Sequence, residues 1–194
     1  MGFSILLNPV RLVTPVSLCS EMKIQTSTDR LAFAISTCGV GLLPFAPGTL
    51  GALVGLAIFY GVFIACKSTP QYFQATLIIA SIIVSALGLW ASNRGEKIFG
   101  EKDAQRIVVD EVAGQLISFV LIAPLLVAEI SQPTVVMIVG FLLFRAFDIW
   151  KPYPIRQLEK LGAGLGVMAD DILAGIYAAV VLSFLPLVAP QLLY

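Results

Sequence analysis

The sequence predicts an all-α membrane protein, a polytopic helical bundle with about five transmembrane helices and a short N-terminal interfacial or re-entrant helix. Of its 194 residues, 58% are hydrophobic and only 12% are charged, about half the charged fraction of a typical soluble domain. The mean hydropathy is +0.94. Because a spanning helix needs about 20 mostly apolar residues, the chain has room for four to six spans in one membrane domain, residues 31–194.

Residues 1–30 are expected to form a disordered extension. Arg11 and two prolines interrupt this stretch, so it lacks the continuous apolar core of a signal peptide. Met22 is an alternative start, because MKIQTSTDR leads directly into the first apolar segment. That segment, Leu31–Leu43, has only thirteen residues, which favours an interfacial or re-entrant helix over a full crossing.

Five longer apolar segments follow, each long enough at about 1.5 Å per residue for a thin or nearly upright crossing. They are Leu50–Cys66, Ala75–Ala91, Val112–Ala128, Thr134–Trp150 and Ile172–Ala189. Proline-containing breaks separate them, at Pro70, at Pro133 and at the pair Pro152 and Pro154. A short surface helix is expected from Pro154 to Leu161.

Basic residues divide unequally between the two sides of this predicted bundle. Lys67 lies alone on one side, whereas eleven basic residues lie on the side that receives the N-terminus. The positive-inside rule therefore predicts a cytoplasmic N-terminus and places every polar cluster on the cytoplasmic face. The eleven are Arg11, Lys23, Arg30, Arg94, Lys97, Lys102, Arg106, Arg145, Lys151, Arg156 and Lys160. A net charge of zero and the lack of a basic run give no indication of a nucleic-acid partner.

Five carboxylates stand at predicted helix boundaries on that face. Asp110 and Glu111 precede the third crossing, Asp148 ends the fourth, and Asp170 and Asp171 precede the fifth. Crowded carboxylates repel one another and are costly to bury, and a divalent cation would relieve both problems. Ligand sets made only of oxygen suit Mg²⁺. The alternative is a simple preference of acids for helix N-termini, which does not account for Asp148.

Basic side chains accompany these acids. Arg145, Asp148 and Lys151 are spaced by three residues, and Arg156 follows the prolines. One interpretation is an intrahelical salt bridge with side chains that extend toward the interface. The other is a phosphate clamp beside the metal site, in which arginine supplies forked hydrogen bonds and lysine a point charge.

A possible anion-binding turn precedes the first crossing. Pro47-Gly48 should form a tight turn, and Thr49 could cap the helix that follows, leaving free N–H groups for a phosphate. The pair Gly51 and Gly55 is better explained by close packing between helices. Thr49 therefore joins Arg145, Lys151 and Arg156 as a candidate phosphate-binding residue.

The chain contains no histidine, which excludes histidine acid–base chemistry, histidine metal ligands and nucleophiles activated by histidine. The three cysteines, Cys19, Cys38 and Cys66, are widely spaced and are expected to be packing residues. If the chain is an enzyme, one of its carboxylates could therefore act as the base.

Three stretches, LLPFAPGTLGAL, IVVDEVAGQ and FRAFDIWKPYPIRQLEKLGAGLGVMADDILAGIYA, resemble the phosphatidylglycerophosphatase A family over roughly Leu31 to Ala189. The resemblance implies a Mg²⁺-dependent enzyme of the bacterial inner membrane that removes the terminal phosphate from phosphatidylglycerophosphate. It implies catalytic roles for Asp110, Glu111, Asp148, Asp170 and Asp171. Where this chain has Ala163-Gly164, the family commonly has two glycines.

The leading hypothesis is therefore a lipid phosphatase that binds Mg²⁺ through Asp171, Asp170 and one or more of Asp110, Glu111 and Asp148. We expect small residues to let a lipid phosphate and its metal approach the aspartate pair; they are Gly164, Gly166, Ala174 and Gly175. A small ion-coupled transporter is the alternative, since intramembrane carboxylates and broken helices are also typical of carriers. A structural membrane subunit would leave the five clustered carboxylates unexplained.

Overall fold

Helices are the only regular secondary structure in the part of the chain that the computed structural model describes, residues 23–101, 104–128, 131–158 and 164–193. They are α1 (Ser27–Thr37), α2 (Pro47–Ala65), α3 (Phe73–Phe99), α4 (Val109–Ile117), α5 (Ala123–Ala128), α6 (Pro133–Trp150), α7 (Ile155–Leu158), α8 (Gly164–Ser183) and α9 (Leu185–Val188). Within these residues, α2, α3, α6 and α8 continued by α9 are long and apolar enough to cross a membrane. The predicted all-α membrane fold is confirmed.

The first helix is short, as predicted, but begins and ends earlier than the apolar segment suggested. Residues 1–22 of the expected extension lie outside the described residues, and residues 27–30 form the first turn of α1. Thr26 and Asp29 cap this helix reciprocally, and Asp29 also pairs with Arg94 of α3 at 3.0 Å. With 11 residues, α1 spans only about 16 Å and cannot cross a bilayer.

The predicted third crossing is not one continuous helix, which corrects the count of five. It consists of α4 and α5, with nine and six residues, joined by turns. Pro124 explains the break, because it has no N–H to donate to the carbonyl of Val120 four residues earlier. The side-chain amide of Gln74 donates to that carbonyl instead, at 3.2 Å.

The two short helices nevertheless follow the course expected of a crossing. At one end Val109 packs with Met168 of α8, and at the other Leu126 shares a core with Cys66 and Phe73. Between them, the ring of Phe119 stacks on Phe59 with centroids 4.0 Å apart. Successive connections therefore still alternate between the two ends of the bundle, as the charge distribution required.

Helix α8 begins at Gly164, eight residues before the predicted start of the last crossing. The side-chain oxygen of Asn93 accepts a hydrogen bond from the Gly164 amide at 3.0 Å and so anchors this end on α3. Asp170 and Asp171 consequently lie inside the helix, as its seventh and eighth residues, and not before it. The predicted surface helix is the single turn of α7; residues 159–163, including Ala163, lie outside the described part.

Glycines set the closest approaches between helices. A Cβ on Gly55 of α2 would lie 2.8 Å from the Gln115 Cβ, and one on Gly175 of α8 would lie 2.4 Å from the Gly114 carbonyl oxygen. Packing was the preferred interpretation of the Gly51 and Gly55 pair, and it is confirmed. The expectation that Gly164 and Gly175 open space for a ligand is wrong, because neighbouring helices fill that space.

Replacing Gly175 with alanine should destabilise the protein, because the added methyl group would meet backbone atoms of α4 that cannot move without shifting the helix. Overpacking of this kind costs about 1–3 kcal/mol. Gly61→Ala is the matched control, since an added Cβ there meets nothing within 4 Å. Thermal unfolding of the detergent-purified variants checks this, and equal melting temperatures for the two would contradict the proposed α4–α8 contact.

Candidate active site

Three carboxylates from two helices converge at one end of the bundle. Asp110 and Glu111 lie in the first turn of α4, and Asp171 projects from α8 toward them. One carboxylate oxygen from each lies within 4.8 Å of the others. Asp110 and Asp171 are only 5% and 4% exposed. The sequence predicted that these groups would share one level, and the structure brings them into one cluster.

The packing of α4 explains why these acids are buried. All but two of its nine residues are buried, and Gly114 permits the backbone of α8 to lie against it. A preference for the helix N-terminus can contribute for Asp110 and Glu111, which lie in the first turn. It does not apply to Asp171, because the field of a helix terminus falls off within about one turn.

Asp148 and Arg145, one turn apart on α6, extend the cluster. The Arg145 Nη1 donates to the Asp148 Oδ2, so the predicted intrahelical salt bridge exists. The negative charges of Asp148 and Asp171 are close enough to repel each other. Arg145 is therefore the basic partner of one member in a group of four carboxylates. The sequence analysis treated the salt bridge and a phosphate clamp beside the metal site as alternatives for Arg145. The structure allows both, because the salt bridge itself lies beside the carboxylates.

Asp170 has a different partner from its neighbour. Its Oδ2 accepts a hydrogen bond from the Lys151 Nζ at 2.7 Å, and its Oδ1 accepts from the Asp171 backbone amide at 3.1 Å. Adjacent residues on a helix point about 100° apart, and here the Asp170 side chain pairs with Lys151 while that of Asp171 joins Asp110 and Glu111. Asp170, predicted as a metal ligand, is outside the trio and fixes Lys151 instead.

Burial governs the protonation of the two acids on α4, which lie outside the four candidate spans. It raises the pKa of Asp110 well above its usual range, and the charges of Glu111 and Asp171 raise it further. Burial also raises the pKa of Glu111, while a hydrogen bond with Asp110 opposes that change. A positive charge nearby would lower both pKa values again.

Several polar atoms of the cluster are buried without a hydrogen-bond partner. They are the Asp110 Oδ1, the Glu111 Oε2 and the Arg145 Nε. Unpaired carboxylate oxygens at this depth are costly, and three carboxylates are the ligand chemistry that hard divalent cations prefer. Asp110, Glu111 and Asp171 could therefore hold a metal ion, which would satisfy the first two of these atoms and offset the repulsion.

The N-terminus of α2 opens into the same space. A cavity of about 500 Å³, here called the carboxylate cavity, is bounded by the turn before α2 and by Asp110, Glu111 and Arg145. Ala46 holds a left-handed φ of 40° and no side chain caps the helix. The first backbone hydrogen bond runs from the Leu50 amide to the Ala46 carbonyl, so the preceding amides of Gly48 and Thr49 are available to an anion.

The predicted phosphate-binding residues fall into two groups. Thr49 and Arg145 line the carboxylate cavity, whereas Lys151 and Arg156 line a separate groove. Sequence reasoning treated Gly48 only as part of a turn. A Cβ at position 48 would lie 2.3 Å from the Glu111 Oε1, so the close approach of this carboxylate requires a glycine. The sequence feature that could have indicated this requirement was the position of Gly48 at the start of a helix.

Comparisons with known proteins agree with this arrangement. Residues 33–186 match the family model described as Phosphatidylglycerophosphatase A. The chain is 31% identical over 167 residues to the Escherichia coli protein named Phosphatidylglycerophosphatase A, covering 86% of this chain and 87% of that protein. It is 37% identical over 144 residues to the Haemophilus influenzae protein of the same name, covering 74% and 80%.

A third relative carries a different name. A Bacteroides thetaiotaomicron protein, provisionally named phosphatidylinositol-3-phosphatase, is 37% identical over 145 residues, covering 75% of this chain and 86% of that protein. No solved structure matches the chain. All three relatives are therefore named as phosphatases of phospholipids, but their names specify different lipids.

Removing one carboxylate of the trio should have opposite effects with and without a divalent cation. In EDTA, Asp110→Asn should raise the melting temperature, because it removes a buried charge that two neighbours repel; each 1 kcal/mol gained corresponds to about 2–4 °C. The same variant should lose most of the stabilisation that Mg²⁺ or Mn²⁺ gives the unsubstituted protein.

Asp29→Asn is the control for that measurement. It removes a helix cap and the pair with Arg94, far from the trio, so it should lower the melting temperature and leave the cation-induced increase intact. An Asp110→Asn variant that is less stable in EDTA and still gains the full increase with Mg²⁺ would contradict the metal site.

Proposed function

This chain belongs to the phosphatidylglycerophosphatase A family, and we propose that it hydrolyses phosphatidylglycerophosphate to phosphatidylglycerol and phosphate in a Mg²⁺-dependent reaction of phospholipid biosynthesis. The trio of Asp110, Glu111 and Asp171 is the observation that carries the metal dependence, since its oxygens lie within 4.8 Å of one another and suit Mg²⁺. A phosphatase explains the buried carboxylates and the family match together; the transporter alternative explains only the former.

When bound, Mg²⁺ would supply positive charge at the phosphoryl group and make water more acidic. The protein would position the phosphate with the Arg145 guanidinium and the free amides of Gly48 and Thr49, across the carboxylate cavity from the trio. These donors would stabilise the charge that develops on the phosphoryl oxygens during transfer. The Thr49 hydroxyl is a further donor that lines the same cavity.

A carboxylate could act as the base, because the chain lacks histidine and carboxylates surround the metal site. Asp148 is the best placed, since it pairs with Arg145 beside the trio and is not a member of the trio. It would accept a proton from the attacking water as the new oxygen–phosphorus bond forms, and would give that proton to the glycerol oxygen as the bond from this oxygen to phosphorus breaks, which releases phosphatidylglycerol and phosphate. Asp170 would act indirectly, by holding Lys151.

We place the reaction at the cytoplasmic face of a bacterial inner membrane. Among the described residues, Arg94, Lys97, Arg145, Lys151 and other basic side chains belong to the same end of the bundle as the trio, and Lys67 lies at the opposite end. The positive-inside rule supports this orientation.

A second lipid should be tested because of the Bacteroides relative. Phosphatidylinositol 3-phosphate, like phosphatidylglycerophosphate, has a phosphate monoester on a polyol that a phosphodiester links to diacylglycerol. The same carboxylate cavity would accommodate the monoester of either lipid, so the polyol is the part that would discriminate between them.

The decisive assay is phosphate release from phosphatidylglycerophosphate by detergent-purified protein, with Mg²⁺ and with EDTA. We expect turnover only with Mg²⁺, and a loss of at least about 100-fold in kcat/KM for Asp171→Asn, because a change of a metal ligand exceeds the 10–100-fold typical of outer-shell changes. Asp29→Asn should retain turnover. No Mg²⁺-dependent release by a folded preparation would refute the function, and an active Asp171→Asn variant would refute the site.

A further inference from the structure

A second polar groove lies beside the carboxylate cavity. It measures about 500 Å³ and is lined by Trp150, Lys151, Pro152, Tyr153, Arg156 and Gln157. None of these residues lines the carboxylate cavity. We call it the interfacial groove. Lys151 and Arg156, predicted from the sequence to hold the reacting phosphate, belong to this groove instead.

The segment that forms the groove is held firmly against α8. Ile155 is fully buried in a core with Phe144, Ala174 and Ala178. The Tyr177 hydroxyl donates to the Tyr153 carbonyl oxygen at 3.1 Å. The pair of Lys151 with Asp170 gives a third attachment. The groove is therefore a fixed surface, and its exposed side chains have defined positions.

The groove lies at the depth of lipid headgroups. Trp150 ends the membrane-spanning helix α6, and its side chain is 70% exposed, while that of Tyr153 is 77% exposed. Exposed tryptophan and tyrosine at the end of a span are typical of the membrane–water interface, where the ring contacts apolar chains and its polar atom contacts headgroups. A lipid headgroup would thus meet the groove without leaving the bilayer.

The groove carries a positive charge that no residue in the described part of the chain neutralises. Asp170 offsets the charge of Lys151. Arg156 is exposed, and its guanidinium makes no ion pair or hydrogen bond with any residue that the structure describes. A guanidinium in this position offers two parallel donors to a phosphate oxygen pair.

Lys151 connects the groove with the carboxylate cluster. It lies directly after the last residue of α6, three residues after Asp148. It is also paired with Asp170, the neighbour of Asp171. A molecule with two phosphates separated by a short polyol could therefore place one phosphate in the cavity and the other in the groove.

We propose that the interfacial groove binds the phosphodiester of the substrate, through Arg156, while the carboxylate cavity holds the monoester that is hydrolysed. This inference rests on the proposed function. It defines the substrate class as glycerophospholipids whose polyol headgroup carries a phosphate monoester. Lipids with a monoester directly on diacylglycerol have no phosphodiester and cannot use both sites, so Arg156 is a specificity-determining residue.

Two probes separate the groove from the cavity in the full chain, purified in an uncharged detergent. Short-chain phosphatidylglycerol has the phosphodiester but no monoester, and inorganic phosphate resembles the released monoester. For Arg156→Gln we expect calorimetric binding of phosphatidylglycerol to weaken about tenfold, the loss of one charged hydrogen-bonding partner, and phosphate binding to be unchanged. Arg156→Lys should weaken phosphatidylglycerol binding less than Arg156→Gln does. Lys97→Gln, which removes an exposed charge elsewhere, should change neither.

Turnover gives the second readout. The KM of Arg156→Gln for phosphatidylglycerophosphate should rise about tenfold with kcat unchanged. Equal weakening of both probes, or no weakening of either, would overturn the proposal. Weaker phosphatidylglycerol binding with an unchanged KM would also overturn it, because the groove would then hold a neighbouring lipid. Selective loss of phosphatidylglycerol binding in a protein that releases no phosphate would refute the proposed function and support a diester-binding groove.

Discussion

The burial of acidic side chains beside Arg145 is the constraint on which the rest of this structure depends. Asp110, Glu111, Asp148 and Asp171 come from three helices and meet beside the carboxylate cavity, where Asp110 and Asp171 are buried and the other two are partly buried. Such a group is unfavourable alone, since desolvation and mutual repulsion act in the same direction. The fold keeps it because α4 is enclosed by α2, α3 and α8, and glycines let those helices lie close. A bound divalent cation would turn the least favourable region of the protein into a stable one.

The polar residues beside the cluster form two regions with different chemistry, the carboxylate cavity and the interfacial groove. The carboxylate cavity combines negative ligands with the Arg145 guanidinium and the open N-terminus of α2, which suits a cation and a phosphate together. The interfacial groove has a basic and aromatic lining at headgroup depth. Asp170 connects the cavity with the groove, since it is the chain neighbour of Asp171 and pairs with Lys151. The adjacent aspartates thus have separate tasks, because Asp170 pairs with Lys151 while Asp171 joins Asp110 and Glu111.

Much of this could be predicted from the sequence, because hydropathy and charge placement are local properties. The all-helical membrane fold and four of the five spans followed from them, as did the convergence of Asp110, Glu111 and Asp171. The break at Pro124 could not be predicted, because it is tolerated only where Gln74 from another helix satisfies the Val120 carbonyl. The early start of α8 depends similarly on Asn93. The sequence could not predict that Asp170 and Asp171 have different partners, or that Arg156 and Arg145 line different regions, because both depend on the direction in which each side chain points.

The position of Mn²⁺, used in place of Mg²⁺ for its anomalous scattering in crystals of the full chain, tests the metal site most directly. We expect an anomalous peak in direct contact with carboxylate oxygens of Asp110, Glu111 and Asp171, and no peak there in crystals of Asp171→Asn. A peak between Asp170 and other groups, or none at the trio under conditions that support turnover, would refute the metal site.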